Sequence, residues 1–158
     1  MGQLLYFTRH GKLIPGELLL SEEGRAELGL VGERLKERGF KPNLVFTSPE
    51  LRCVDSVPYF TDTLEVIRDQ ALEASGTVDM LRKFRAPKFL PRLLDFAQGK
   101  DALVVSHDCV ASVLGLCLAE MRGTQINWQD EKLRHQVFRL ERGHGVLVID
   151  GTYEFVSP

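Results

Sequence analysis

The sequence is poor in cysteine, with three in 158 residues (Cys53, Cys109 and Cys117) and no Cys-x-x-Cys pair. An odd count at wide spacing argues against a disulfide framework and against a zinc site, and it points to a reducing, cytoplasmic compartment. No apolar run approaches the ~20 residues that a bilayer-spanning helix requires. The N-terminus has no basic segment ahead of an apolar stretch, so no signal peptide is expected. Met1-Gly2 is followed at position 6 by Tyr6, where a myristoylation start needs Ser or Thr. An excess of charge is missing too: 20 basic residues face 22 acidic ones, for a formal net charge of −2. Nucleic acids and anionic membranes are therefore not the expected partners, and any attraction for anions must come from a local cluster. With no repeat, low-complexity tract or Ser/Gly-rich linker, residues 1–158 are expected to form a single domain.

What is present is a chain that is 44% hydrophobic and 27% charged, enough to bury a core without staples. Its apolar pattern alternates between strand and helix. Gln3 to Thr8 is β-rich and reads as a buried first strand. Ser21 to Arg38 reads as a helix with Ser21 as N-cap, a Leu28/Val31/Leu35 stripe and Gly39 as stop. Leu44 to Thr47 is a second strand, after which Ser48-Pro49 is expected to open a helix, serine at the cap and proline at the first position. Leu64 to Ile67 reads as a third strand. Phe89, Leu93, Leu94 and Ala97 mark an amphipathic helix. Ala102 to Ser106 is a further buried strand, followed by an apolar helix from about Cys109 to Met121, in which Cys109 and Cys117 read as buried thiols. Val137–Leu140 and Val146–Ile149, around Gly143-His144-Gly145, read as a hairpin. This alternation predicts a three-layer α/β/α sandwich with a mostly parallel sheet.

In such sheets ligands bind beyond the carboxyl ends of the strands. The first strand ends in Arg9-His10-Gly11, the second leads to Arg52, and the Ala102–Ser106 strand ends in His107. Two arginines and two histidines from distant segments should thus meet at one edge. Guanidinium forks match phosphate oxygens, and a neutral histidine is a competent nucleophile toward phosphorus. Gly11 is expected to let the backbone turn sharply beside His10.

The run Leu5-Tyr6-Phe7-Thr8-Arg9-His10-Gly11 resembles the signature of the histidine phosphatase superfamily, the phosphoglycerate mutase-like fold. Three later segments resemble that family's pattern in order: Leu20-Ser21-Glu22-Glu23-Gly24, Thr47-Ser48-Pro49-Glu50-Leu51-Arg52 and Val104-Val105-Ser106-His107. The resemblance covers residues 4 to about 118, and among known members it is nearest in length to the short bacterial phosphohistidine phosphatases. It implies that His10 is the nucleophile, that Arg9, Arg52 and His107 hold the phosphoryl group together with Gly11, and that no cofactor or metal takes part. For the proton donor it offers Glu73, in Leu72-Glu73-Ala74-Ser75-Gly76, with Asp108 of the His107-Asp108 pair as the alternative. The implied substrate is a small phosphorylated metabolite or a phosphohistidine protein.

Each of these residues also has a plainer reading. A lone His10 caps a strand, Arg9 and Arg52 pair on the surface, His107 sits satisfied in the core, and Glu73 is a solvated loop residue. His135 and His144 read as surface histidines. The basic run Arg82, Lys83, Arg85, Lys88, Arg92 reads as a solvated, mobile cover segment, or else as a rim that attracts anions, and Lys12 is the better candidate for touching substrate. The rival from another class is a binding module that keeps the phosphate pocket without turnover.

Overall fold

A computed structural model describes residues 2–63 and 65–158. Six strands form one sheet in the order β3-β2-β4-β1-β5-β6. They are β1 (Leu4–Arg9), β2 (Leu44–Thr47), β3 (Val66–Arg68), β4 (Ala102–Ser106), β5 (Gly145–Ile149) and β6 (Thr152–Val156). Leu64, where the sequence pattern starts the third strand, lies outside the described residues. The β1–β4, β4–β2 and β2–β3 pairs are parallel, and β5 runs antiparallel to both β1 and β6.

Alternation along the strands sends side chains to opposite faces. Leu5 and Phe7 of β1 join Phe46 and Val104 in a core closed by α4 (Ala86–Ala97) and α5 (Asp108–Met121). Leu4 and Tyr6 join Val45, Leu103 and Val105 on the other face, under Val31 and Leu35 of α1 (Glu22–Glu37). The result is the expected three layers. The first helix forms where the sequence places it: Ser21 Oγ accepts the Gly24 amide at 2.9 Å, and Gly39 ends the helix at φ 88°. Buried on all sides from Val110 to Ala119, α5 runs back from the end of β4. No helix among the described residues is long and apolar enough to cross a membrane.

Three expectations need correction. The helix after β2, α2 (Leu51–Val54), begins two residues late, with Glu50 as its extended N-cap. Ser48 does not cap it, because its Oγ is turned to His107 Nε2 at 3.0 Å and lies 3.5 Å from the Glu50 amide. Val137 belongs to α6 (Glu131–Phe138), not to a hairpin arm. Asp130 caps that helix by accepting the Leu133 amide at 3.0 Å, and the four-residue spacing of Leu133 and Val137 buries both on one face. The hairpin is instead β5–β6, turning at Asp150 with φ 51°. Finally, the basic run is anchored. Arg82 lies 4.3 Å over the Trp128 ring, Arg85 binds the Glu73 carbonyl at 2.9 Å, and Arg92 pairs with Asp69. This stretch is helical throughout, through α3 (Val78–Met80) and a π-turn at Leu81–Arg85 that leads into α4.

Candidate active site

The parallel strands β1, β4 and β2 lie side by side, so their carboxyl ends share one edge. Backbone pairing continues one residue past each strand. The His10 amide donates to the Ser106 carbonyl at 3.1 Å, and the Ser48 amide donates to the Val105 carbonyl at 2.9 Å. His10 and His107 are thereby brought together, both buried, with ring centroids 5.6 Å apart at 73°.

Nδ1 of His10 lies 2.9 Å from the Gly11 carbonyl oxygen. A carbonyl only accepts, so the bond assigns the hydrogen to Nδ1 and leaves the lone pair on Nε2. Burial pushes the ring's pKa down to about 4, with Arg52, Arg9 and His107 acting in the same direction. The imidazole is therefore neutral at ordinary pH.

Arg9 donates from Nη1 to the Leu140 carbonyl at 2.8 Å, while its Nε is buried with no partner among the described residues. Burial lowers its pKa, partly offset by Asp108 and reinforced by Arg142 and Arg52. Arg52 reaches Glu50 Oε2 through Nε at 3.2 Å and Nη2 at 2.8 Å. His107 Nε2 meets the same Oε2 at 2.9 Å. Burial lowers the His107 pKa, while Glu50 pulls it the other way. Because α5 starts at Asp108, its unpaired first amides also face this end of the sheet.

The two carboxylates differ in setting. Asp108 is half-buried, and its charge acts on both Arg9 and His107. Glu73 is exposed, and the titrating group on which its charge acts is Arg85. Its loop is nonetheless tied to the same edge, since Ser106 Oγ donates to the Leu72 carbonyl at 2.6 Å. Lys12 points away into a surface pair with Glu23 and Glu27, at 3.0 and 3.2 Å. His135 is exposed as expected, but His144 is half-buried and its carbonyl accepts the Arg9 amide at 2.9 Å. Gly11 is needed for packing rather than for a turn: its φ is not positive, and a Cβ there would meet Leu28 Cδ1 at 2.7 Å.

Sequence reasoning missed Ser48, Ser56 and Glu50. Ser56 Oγ accepts the Gly11 amide at 3.1 Å and donates to the Arg52 carbonyl at 2.8 Å, tying two strand ends together. Ser48 carried a signal inside Thr47-Ser48-Pro49, but Glu50 stands where that pattern specifies no residue. A cavity of about 280 Å³ opens elsewhere, between Thr77–Arg82 and α6, and none of the strand-end residues lines it.

The fold recurs among solved structures. A protein from Agrobacterium tumefaciens assigned as the phosphohistidine phosphatase SixA superposes with a TM-score of 0.66 at 16% identity, covering 100% of this chain and 99% of that one. The chain has the phosphoglycerate mutase-like fold. Another solved structure, the ecdysone phosphate phosphatase of Bombix mori in complex with tungstate, gives a TM-score of 0.71 at 14% identity, covering 99% of this chain and 92% of that one. At these identities the likeness is one of fold. A 2,3-bisphosphoglycerate-dependent phosphoglycerate mutase from Mesorhizobium japonicum is 33% identical over 94 residues, 51% of this chain and 46% of that protein. The match thus spans about half the length of that curated relative. No protein-family model matches the chain.

Proposed function

We propose that this protein is a phosphatase working through a covalent phosphohistidine on His10. The observation that carries the reading is a buried, neutral His10 with Nε2 free, held beside Arg52 and His107 at one sheet edge. Nε2 attacks phosphorus, forming the N–P bond as the bond to the leaving group breaks and its electrons leave with that group. A carboxylic acid protonates the leaving atom, and the resulting carboxylate then takes a proton from the water that hydrolyses the phosphohistidine. Arg9, Arg52, His107 and the first amides of α5 would hold the phosphoryl oxygens, where negative charge spreads in the transition state. Nε of Arg9, a buried donor without a partner among the described residues, suits that role.

The sequence pattern ranks Glu73 first as the acid. Electrostatic contact with Arg9 and His107 favours Asp108, and the role is proposed for Asp108 with Glu73 as the alternative. Two substrate classes suit the site. A phosphohistidine protein is supported by the Agrobacterium tumefaciens neighbour, and a phosphorylated metabolite by the ecdysone phosphate phosphatase.

The test is hydrolysis of an aryl phosphate by wild type and His10→Ala, with trapping of acid-labile phosphate on His10. Turnover that survives His10→Ala excludes the mechanism. One observation favours the rival, a phosphate-binding module without turnover: Glu73 is exposed and stands apart from the cluster. Phosphate binding with no hydrolysis across a panel of phosphomonoesters and a phosphohistidine protein would decide for that module.

A further inference from the structure

Three N–H donors at the proposed phosphate seat converge on a single oxygen of the chain itself. Glu50 Oε2 lies 2.8 Å from Arg52 Nη2, 3.2 Å from Arg52 Nε and 2.9 Å from His107 Nε2. An ionised carboxylate can only accept, so this is an anion bound by its donors. Residues two apart do not face one another on a helix. Glu50 reaches Arg52 because it precedes α2 with an extended backbone, φ −65° and ψ 139°. Its side chain is 47% exposed, so it can swing into water without disturbing the core.

We infer that Glu50 is an internal competitor that every incoming anion must displace from Arg52 and His107. The inference rests on the reading of Arg52 and His107 as phosphoryl-holding groups. A tethered carboxylate competes at a high effective concentration. A monoanion such as a phosphodiester or sulfate ester offers these donors little more charge than Glu50 already does. A terminal phosphoryl group carries two charges and three free oxygens, and it can also engage Arg9 Nε and the first amides of α5. Displacing Glu50 costs every anion the same, so only a ligand with those further contacts outweighs the cost, and weakly held monoanions are kept out of the seat at low concentration.

The test measures calorimetric binding of inorganic phosphate, as the dianion, and of dimethyl phosphate, a monoanion, to the intact protein. Variants are Glu50→Gln, Glu50→Ala and Arg52→Ala, each first checked for a native thermal melt. Glu50→Gln and Glu50→Ala should bind phosphate about tenfold more tightly and dimethyl phosphate tighter by a comparable factor. Unchanged or weaker binding in both Glu50 variants, with Arg52→Ala still abolishing it, overturns the competitor role while leaving the seat intact. A clearly larger gain for phosphate than for dimethyl phosphate points to charge repulsion by Glu50 in place of displacement and likewise overturns the competitor role. Phosphate binding that is indifferent to Arg52→Ala, or absent in every variant, removes the phosphate seat and this inference with it.

Discussion

Nδ1 of His10 donates to the carbonyl oxygen of Gly11 at 2.9 Å, and that bond decides which ring nitrogen is left to react. Nitrogen-detected NMR should show Nε2 unprotonated, with the ring titrating near pH 4 rather than at its ordinary 6.5. A midpoint above 6 would mean that burial does not govern the ring.

The same shift couples to stability. Between 6.5 and about 4 the unfolded chain takes up the His10 proton and the folded one does not. The native state therefore loses stability as pH falls through that window, by roughly 3 kcal/mol when complete, at 1.36 kcal/mol per unit. Urea melts of His10→Gln should show a flatter decline over the window than wild type. Parallel declines would contradict the assignment.

Asp108 and Glu73 can be separated by leaving group. Loss of a general acid costs roughly 10²–10⁴-fold when the leaving group needs the proton, and far less for an activated aryl ester. Asp108→Asn should show that contrast in kcat and Glu73→Gln should not. The reverse pattern would return the role to Glu73.

Gly24 packs the start of α1 directly on the chain just past His10. A Cβ at Gly24 would collide with the carbonyl oxygen of Lys12. Gly24→Ala should cost about 1–3 kcal/mol in chemical unfolding and lower activity as well, since Lys12 follows Gly11. A stable, fully active variant would show that the contact yields freely.

The Tyr6 hydroxyl is buried without a hydrogen-bond partner among the described residues, while its ring packs edge-on against Phe40 at 6.1 Å. Removing an unsatisfied buried hydroxyl relieves its desolvation cost. Tyr6→Phe should stabilise by about 1 kcal/mol, read as a higher urea midpoint at unchanged slope. A lower midpoint would reveal a partner for the hydroxyl.

The strands β2 and β4 and the helix α1 were legible because each carries a local signal: an uninterrupted apolar run, or a cap and a stop around a periodic stripe. Convergence of Arg9, His10, Arg52 and His107 at one edge followed from parallel strand direction alone. The tail was misread because Val137, Phe138 and Leu140 are good strand formers taken singly, while the Asp130 cap and the Leu133/Val137 spacing carried the helix. Gly11 looked like a turn glycine because its neighbour in space, Leu28, is 17 positions away in the chain. Glu50 was invisible for a related reason: its contact depends on how the backbone enters α2, which no side-chain pattern encodes.

The amides of His10 and Ser48 both hang on carbonyls of β4, a strand with parallel neighbours on each side. The sheet edge that carries His10 therefore has no loose mode of its own. Hydrogen exchange at these two amides should proceed only through the opening that melts the sheet, so heat inactivation and global unfolding are one event. Evolution can recast the segments around such an edge freely, because what aligns the reacting groups is the ladder beneath them.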